Sequence, residues 1–197
     1  MTKPDAQVIT QILQKWGNDN PDAWEELIPL VYNALKRKAG HLLAGQPEQF
    51  TLNPTSLVHE IYIEFQALEK VPWRNRQHFF AVAALTMRQL IIDHVRASNA
   101  LKRGGGQVFI TVADFADDAS AQSVDFLALD RSLEELEESN PECCRIVELR
   151  YFAGLTVADI ADLLDISERN VYYHWNWAKS WLYMRLHEEG SVERSPG

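Results

Sequence analysis

Apolar positions recur every three or four residues along most of the chain, a period that predicts helices rather than strands. Ile9, Ile12, Leu13 and Trp16 predict a first helix over 5–17, broken by Gly17-Asn18-Asp19-Asn20-Pro21. Trp24, Leu27, Ile28, Val31, Leu35 and Ala39 fall on one side of a second helix over 22–43, in which Pro29 predicts a kink or a junction. After a loop opened by Gly45-Gln46-Pro47, Asn53 or Thr55 caps a third helix that runs to Leu68. Leu57, Ile61, Phe65 and Leu68 form its buried stripe, and Ser56, His59, Glu60 and Ile63 its other face. The fourth helix, over 76–101, is the longest. Its core stripe is Phe80, Ala84, Met87, Ile91 and Val95, and Gly104-Gly105-Gly106 stops it.

Residues 104–127 lose the helical period and are rich in Gly, Asp, Ala and Ser, which reads as a linker with a short extended piece at 108–112. The period returns in four helices at 127–138, 141–152, 156–164 and 168–186. Asn140-Pro141 caps the second of these and Gly154 ends it. No strand pairs suggest a sheet. The expected fold is all-α: two small helical domains, 1–103 and 128–187, joined by an acidic linker at 104–127 and followed by a polar tail at 188–197.

The sharpest local pattern spans Thr156 to Val171. Thr156 caps a short helix with Asp159 placed to complete a capping box, Ile160 and Leu164 point inward, and Ala161 is small where a second helix must cross. Asp165 occupies the turn, where glycine is usual, and tolerates left-handed geometry better than most residues. Ile166 plugs the corner and Ser167 caps the next helix. There Val171, His174, Trp175, Ala178, Leu182 and Arg185 share one arc, while Arg169, Tyr172, Tyr173, Asn176 and Ser180 lie opposite. That is a helix-turn-helix whose outward face suits a major groove: Arg bonds guanine edges, Asn pairs with adenine, and Tyr reaches phosphate or a thymine methyl. A helical hairpin in a plain bundle has the same pattern.

Charge complicates the picture. The net charge of -9 argues against general nucleic-acid binding, but it is unevenly spread. Residues 71–107 hold six basic groups (Arg74, Arg76, Arg88, Arg96, Lys102, Arg103) against Asp93, whereas 113–145 hold ten acids against Arg131 and Arg145. On the fourth helix Arg88, Arg96, Asn99 and Arg103 fall within about 80° of one another. Arg74 and Arg76 sit at its start beside Trp73. Cations with nearby rings are what strand-separated DNA needs, although a solvated helix face has the same composition. Phe79 and Phe80 read as core, and Asp93-His94 as structural hydrogen bonding.

Other chemistry is sparse. There is no phosphate loop, metal-ligand cluster or nucleophile motif, so neither an enzyme nor a cofactor or metal is expected. Cys143 and Cys144, the only two cysteines, match no zinc spacing and read as small buried thiols. No apolar run is long enough to span a bilayer and the N-terminus lacks an apolar signal core, so a cytoplasmic protein without membrane contact is expected.

Taken in order, Leu57-Val58-His59-Glu60, His78-Phe79-Phe80, Ile92-Asp93-His94-Val95-Arg96, Lys102-Arg103-Gly104-Gly105-Gly106, Val147 to Thr156, Trp175 and Ala178-Lys179-Ser180-Trp181-Leu182 resemble bacterial RNA polymerase sigma factors of the extracytoplasmic-function (ECF) type. Each string alone is weak, but the ordered set covers nearly the whole chain. The resemblance implies that Ser56, His59, Glu60 and Ile63 dock on the clamp helices of core RNA polymerase. It implies that the loop at 71–77 with Arg74 and Arg76, and the fourth helix with Arg88, Arg96, Asn99 and Arg103, bind and help melt the minus-ten element of promoter DNA. The acidic linker would thread the polymerase. The helix from 168, through Arg169, Asn170, Tyr172, Tyr173, Asn176 and Lys179, would read the minus-thirty-five element. An anti-sigma or other regulatory protein is a further implied partner. The chain departs from the family's common pattern at Asn170, where threonine is usual, near Tyr173, where a basic residue is usual, and at His174, where an acid is usual. Two other readings stay open: a helix-turn-helix regulator with a helical sensing domain, and a sigma-like interaction protein with weakened DNA binding.

Overall fold

The computed structural model describes residues 6–17, 22–44, 51–68, 71–101, 109–111 and 123–192. Eight α-helices dominate them: α1 (Ala6–Gly17), α2 (Asp22–Leu42), α3 (Pro54–Ala67), α4 (Arg76–Leu101), α5 (Phe126–Ser139), α6 (Pro141–Val147), α7 (Val157–Leu164) and α8 (Glu168–Val192). The fold is all-α, as the apolar period predicts, and most helix ends fall within a residue or two of the expected positions because the caps are local chemistry. Asn53 accepts from the backbone N–H of Thr55 and Ser56, both at 3.0 Å. Asn140 does the same for Cys143 at 3.1 Å. Thr156 Oγ1 accepts from the Asp159 N–H at 3.1 Å while the Asp159 carboxylate accepts from the Thr156 N–H at 3.2 Å.

Three features differ from expectation. α2 runs on through Pro29 as one helix, so Pro29 marks no junction. Pro29 lies on the exposed side, so its ring does not disturb the buried stripe of the helix. The helix expected over 141–152 changes pitch: after α6 a π-helical segment, Glu148–Phe152, closes with Ala153 N–H donating to the Glu148 carbonyl at 3.1 Å. Gly154, at φ +67, ends it, and a Cβ there would meet Lys38 Nζ at 3.3 Å. The expected extended piece pairs: β1 (Phe109–Thr111) runs antiparallel to β2 (Ser123–Asp125), with Ile110 opposite Val124. Segments of three residues hold too few alternations to signal a ladder in sequence.

α1 packs on α2, α2 on α3 and α3 on α4, around a ring cluster. Trp16 and Trp73 stack at 5.2 Å, and Phe65 and Phe79 meet edge to face at 5.6 Å. In the C-terminal half α5, α6 and α8 surround Leu133, Leu136, Ile146, Val171 and Leu182, all fully buried. The two halves are not separate in their packing. α4 lies against the π-helical segment, α5 and α7, and the buried side chains of both halves form one continuous core.

Candidate functional site

On α3 the apolar stripe (Leu57, Val58, Ile61, Phe65) is buried and the opposite face is open, but Leu68, expected in the stripe, is the exposed C-cap residue. His59 is exposed, Glu60 half-exposed, and Ile63 62% exposed, an unusual position for isoleucine. Ser56 sits at the head of this face but also serves the cap, its Oγ accepting from the Asn53 N–H at 3.1 Å.

The loop before α4 presents Arg74 to solvent, and Arg76 lies over the Phe80 ring at 4.8 Å. Trp73, which the sequence placed among ring-bearing neighbours of the cations, is buried between Trp16, Phe65 and Phe79 and belongs to the core. Phe79 is core as well, while Phe80 is only half-buried, under Arg76. Burial lowers the pKa of His78, helped by the nearby charges of Arg74 and Arg145. Asp93 accepts from Gln89 at 3.0 Å and His94 meets Thr51 at 3.1 Å, so both make structural bonds.

The cations expected along α4 have different surroundings. Arg88 is nearly enclosed: its Nε and Nη2 donate to Asp130 Oδ1 at 3.1 and 2.6 Å, its Nη1 donates to Glu148 Oε1 at 2.9 Å, and its guanidinium lies 5.7 Å from the Phe152 ring centre. Asp130 on α5 is 3% exposed and also accepts from Arg96 at 3.4 Å, whereas the Arg96 side chain itself is 54% exposed. Arg145 pairs with the second oxygen of Glu148 at 3.4 Å. Burial raises the Glu148 pKa, opposed by the charges of Arg88 and Arg145. Asn99 is half-buried, and its Oδ1 has no hydrogen-bond partner among the described residues. Arg103 and Lys102 lie outside the described residues.

Two further polar contacts join the halves. Gln77 on α4 donates to Asp159 on α7 at 3.0 Å, and Lys38 on α2 donates to the Tyr151 carbonyl. Burial pushes the Asp159 carboxyl up, but hydrogen bonds from Gln77 and from the side chain and backbone of Thr156, with the Arg76 charge, outweigh it and hold the carboxyl below its ordinary value. Between these contacts and the Arg88 cluster lies a cleft of about 320 Å³ lined by Lys38, Arg76, Phe80, Met87, Phe152 and Leu155.

α7 and α8 meet through Asp165, which has the left-handed backbone expected of the turn (φ 56, ψ 46). Ser167 accepts from the Asn170 N–H at 3.2 Å at the start of α8. Val171, Trp175, Ala178 and Leu182 are buried, and Arg169, Asn170, Tyr172, Tyr173 and Asn176 are exposed, so the helix divides into the two expected arcs except at Arg185, which is exposed and pairs with Glu135. Lys179 is half-buried. Downstream the outward face stays aromatic, with Trp177 stacked on Trp181. His174 lies on the inner arc, 3.3 Å from Cys143 Sγ and 3.5 Å from Glu142. Cys143 and Cys144 are buried free thiols, and burial pushes their pKa values up to about 11 and about 12.

The pattern of the ECF sigma factor family matches residues 6–188, so the match takes in the α3 face, α4 and the outward face of α8 together. The chain belongs to the ECF sigma factor family. Neither the curated proteins nor the solved structures compared with it gave a match. Family membership gives this sigma factor a role in transcription initiation, and the family is not a class of enzymes. Among the described residues no helix is long and apolar enough to cross a membrane.

Within the sigma factor, sequence reasoning found the outward face of α8 and the open face of α3, and missed what covers Arg88. Asp130, Glu148, Gln77 and Lys38 were not singled out. The one available signal was the basic block lying beside a strongly acidic one, two charge runs that attract each other once the chain folds back on itself.

Proposed function

We propose that this sigma factor binds core RNA polymerase, directs it to specific promoters and helps open them. In this reading residues 1–103 form the polymerase and minus-ten domain, 104–127 the acidic linker, and 128–187 a helix-turn-helix domain. His59, Glu60 and Ile63, with Ser56 at their head, dock on the polymerase clamp helices. Arg74 in the loop, Arg76, Arg88, Arg96 and Asn99 on α4, and Arg103 beyond it in the sequence bind the minus-ten element as it melts. Arg169, Asn170, Tyr172, Tyr173, Asn176 and Lys179 meet the minus-thirty-five element, where two amide side chains and two phenols read base edges and phosphates with few net charges. The linker's acids suit a basic channel of the polymerase better than DNA. The protein works in the cytoplasm, where an anti-sigma or other regulatory protein is a further partner.

The observation that carries this reading is the family match across residues 6–188, which joins three outward surfaces in one chain. The deciding experiment is run-off transcription with purified core polymerase on a library of genomic promoter fragments, paired with a pull-down of core. Promoter-specific transcripts that depend on the protein are expected. If core polymerase neither binds the protein nor gains specific initiation, the reading fails. Capture of core without initiation instead favours an interaction protein with weakened DNA binding. Replacing Arg96 and Arg103 together by Ala is expected to reduce promoter opening more than core binding.

A further inference from the structure

The cleft of about 320 Å³ between α2, α4 and the turn into α7 has no part in the promoter reading. Its walls follow from helical spacing. Ala34, Arg37 and Lys38 stand at i, i+3 and i+4 on one face of α2, and Arg76, Phe80, Ala84 and Met87 form one stripe of α4. Phe152, Leu155 and Thr156 close the third side. The cleft is thus apolar and aromatic on its floor and cationic at its rim.

Three cations line this one cleft in a chain of net charge -9. Each is placed by a different feature. Arg76 lies over the Phe80 ring at 4.8 Å. Lys38 donates to the neutral Tyr151 carbonyl, and Gly154 leaves room for its head, since a Cβ there would meet Nζ at 3.3 Å. Arg37 is exposed. The lining holds one carboxylate among the described residues, Asp159, which accepts from Gln77 and Thr156. Neither Arg37 nor Arg76 has a carboxylate partner among the described residues.

We propose that this cleft binds a nucleotide, with its phosphates on Arg37, Lys38 and Arg76 at the rim and its base against Phe80, Met87 and Leu155. Ligand pockets start at about 300 Å³, pair an apolar wall with a few placed polar groups, and concentrate where two parts of a chain meet. The planar fork of arginine and the point charge of lysine both suit phosphate. Cations gathered on one cleft repel one another, and a bound polyanion turns that repulsion into attraction. Arg76 is the one residue shared with the minus-ten reading, so the proposal does not rest on that reading, and it is tested at Arg37 and Ala34.

The full chain is titrated with ATP and with GTP, without added metal, in about 0.15 M salt, where attraction between distant charges is screened. Isothermal titration calorimetry reads the affinity, and tripolyphosphate serves as a probe that lacks the base. Saturable one-to-one binding is expected, tighter for the nucleotides than for tripolyphosphate. Arg37→Glu turns one charge-assisted hydrogen bond into a repulsion and is expected to weaken binding about tenfold or more. Lys15→Glu, the same charge change at an exposed position on α1, is expected to weaken it about twofold or less. Ala34→Trp fills the cleft and is expected to abolish binding. The proposal is overturned by the absence of saturable binding at about 1 mM nucleotide. It is equally overturned if Arg37→Glu and Lys15→Glu weaken binding alike, if folded Ala34→Trp binds as before, or if tripolyphosphate binds as tightly as the nucleotides. Should Ala34→Trp lose its helical circular dichroism, the comparison of Arg37→Glu with Lys15→Glu decides. Run-off transcription on the unaltered chain reports on the sigma reading separately, so either idea can fail without the other.

Discussion

α4 carries more net positive charge than α8, yet α8 holds its polar groups freer. Arg88 on α4 is tied to Asp130 and Glu148, and Arg96 shares Asp130, whereas Arg169, Asn170, Tyr172, Tyr173 and Asn176 on α8 stand in solvent. Both helices hold three Lys or Arg side chains and differ only in net charge, and net charge ranks the two surfaces in the wrong order of availability. What decides is where the countercharge folds, and here ten acids in 113–145 lie one segment downstream of the basic helix. The near-neutral helix leaves its outward polar groups open, and the more basic one meets its countercharge within the same chain.

The largest expected break in that comparison is Arg88→Ala. It leaves Asp130, 3% exposed, with only the longer contact to Arg96. A buried carboxylate stripped of its main partner costs about 3–5 kcal/mol if it stays buried. Separation of the halves relieves that cost, so urea unfolding followed by circular dichroism and tryptophan fluorescence is expected to show an early transition that the unaltered chain lacks. One cooperative transition at an unchanged midpoint counts against the assigned role of the cluster.

Replacing Arg169 and Asn170 by Ala tests the other side. Both are exposed on the first turns of α8, so stability is expected to stay within about 0.5 kcal/mol. Each good bidentate base contact contributes about 1–3 kcal/mol of discrimination. Promoter binding by the holoenzyme, read by gel shift, is therefore expected to fall tenfold or more while core binding is untouched. Unaltered promoter binding moves the recognition surface away from these residues.

Much of this layout was legible in the chain itself. Helix ends could be read because Asn53, Asn140-Pro141, Thr156 with Asp159, and Gly154 act on their own neighbours, and the two arcs of α8 because burial follows a fixed angular period. The burial of Trp73 could not be read, since a ring beside arginines looks the same whether it stacks on bases or on Trp16. Nor could the occupation of Arg88, which depends on residues 42 and 60 positions away. The π-helical segment escaped because five residues, little more than one turn, are too few for their period to be read.

A smaller effect concerns the geometry that aims α8. Asp165 holds φ 56, ψ 46, a conformation that costs a residue with a Cβ about 1–2 kcal/mol. Aspartate bears part of that cost better than most residues, so Asp165→Gly is expected to raise stability by about 1 kcal/mol or less in thermal melts, without altering DNA binding. A loss of stability would mean that the carboxylate itself holds the turn.

The subtlest test sets the two carboxyls of the contact between the halves against each other. Asp159 is held below 3.8, its value when unfolded, so just under that pH the unfolded chain binds the extra proton. Its stabilisation is present above 3.8 and is lost as pH falls through the folded value. Glu148 is raised above 4.5, so just over that pH the folded chain binds the extra proton, and stability falls as pH rises through its folded value. The urea midpoint is thus expected to climb with pH on the acid side and to decline on the other, from these two groups. Gln77→Ala removes one of the bonds that hold Asp159 down and should flatten the acid limb alone. Glu148→Gln should remove the decline alone. If either substitution alters both limbs alike, the carboxyls titrate as one unit, and the Gln77 contact and the Arg88 cluster are one fastening instead of two independent ones.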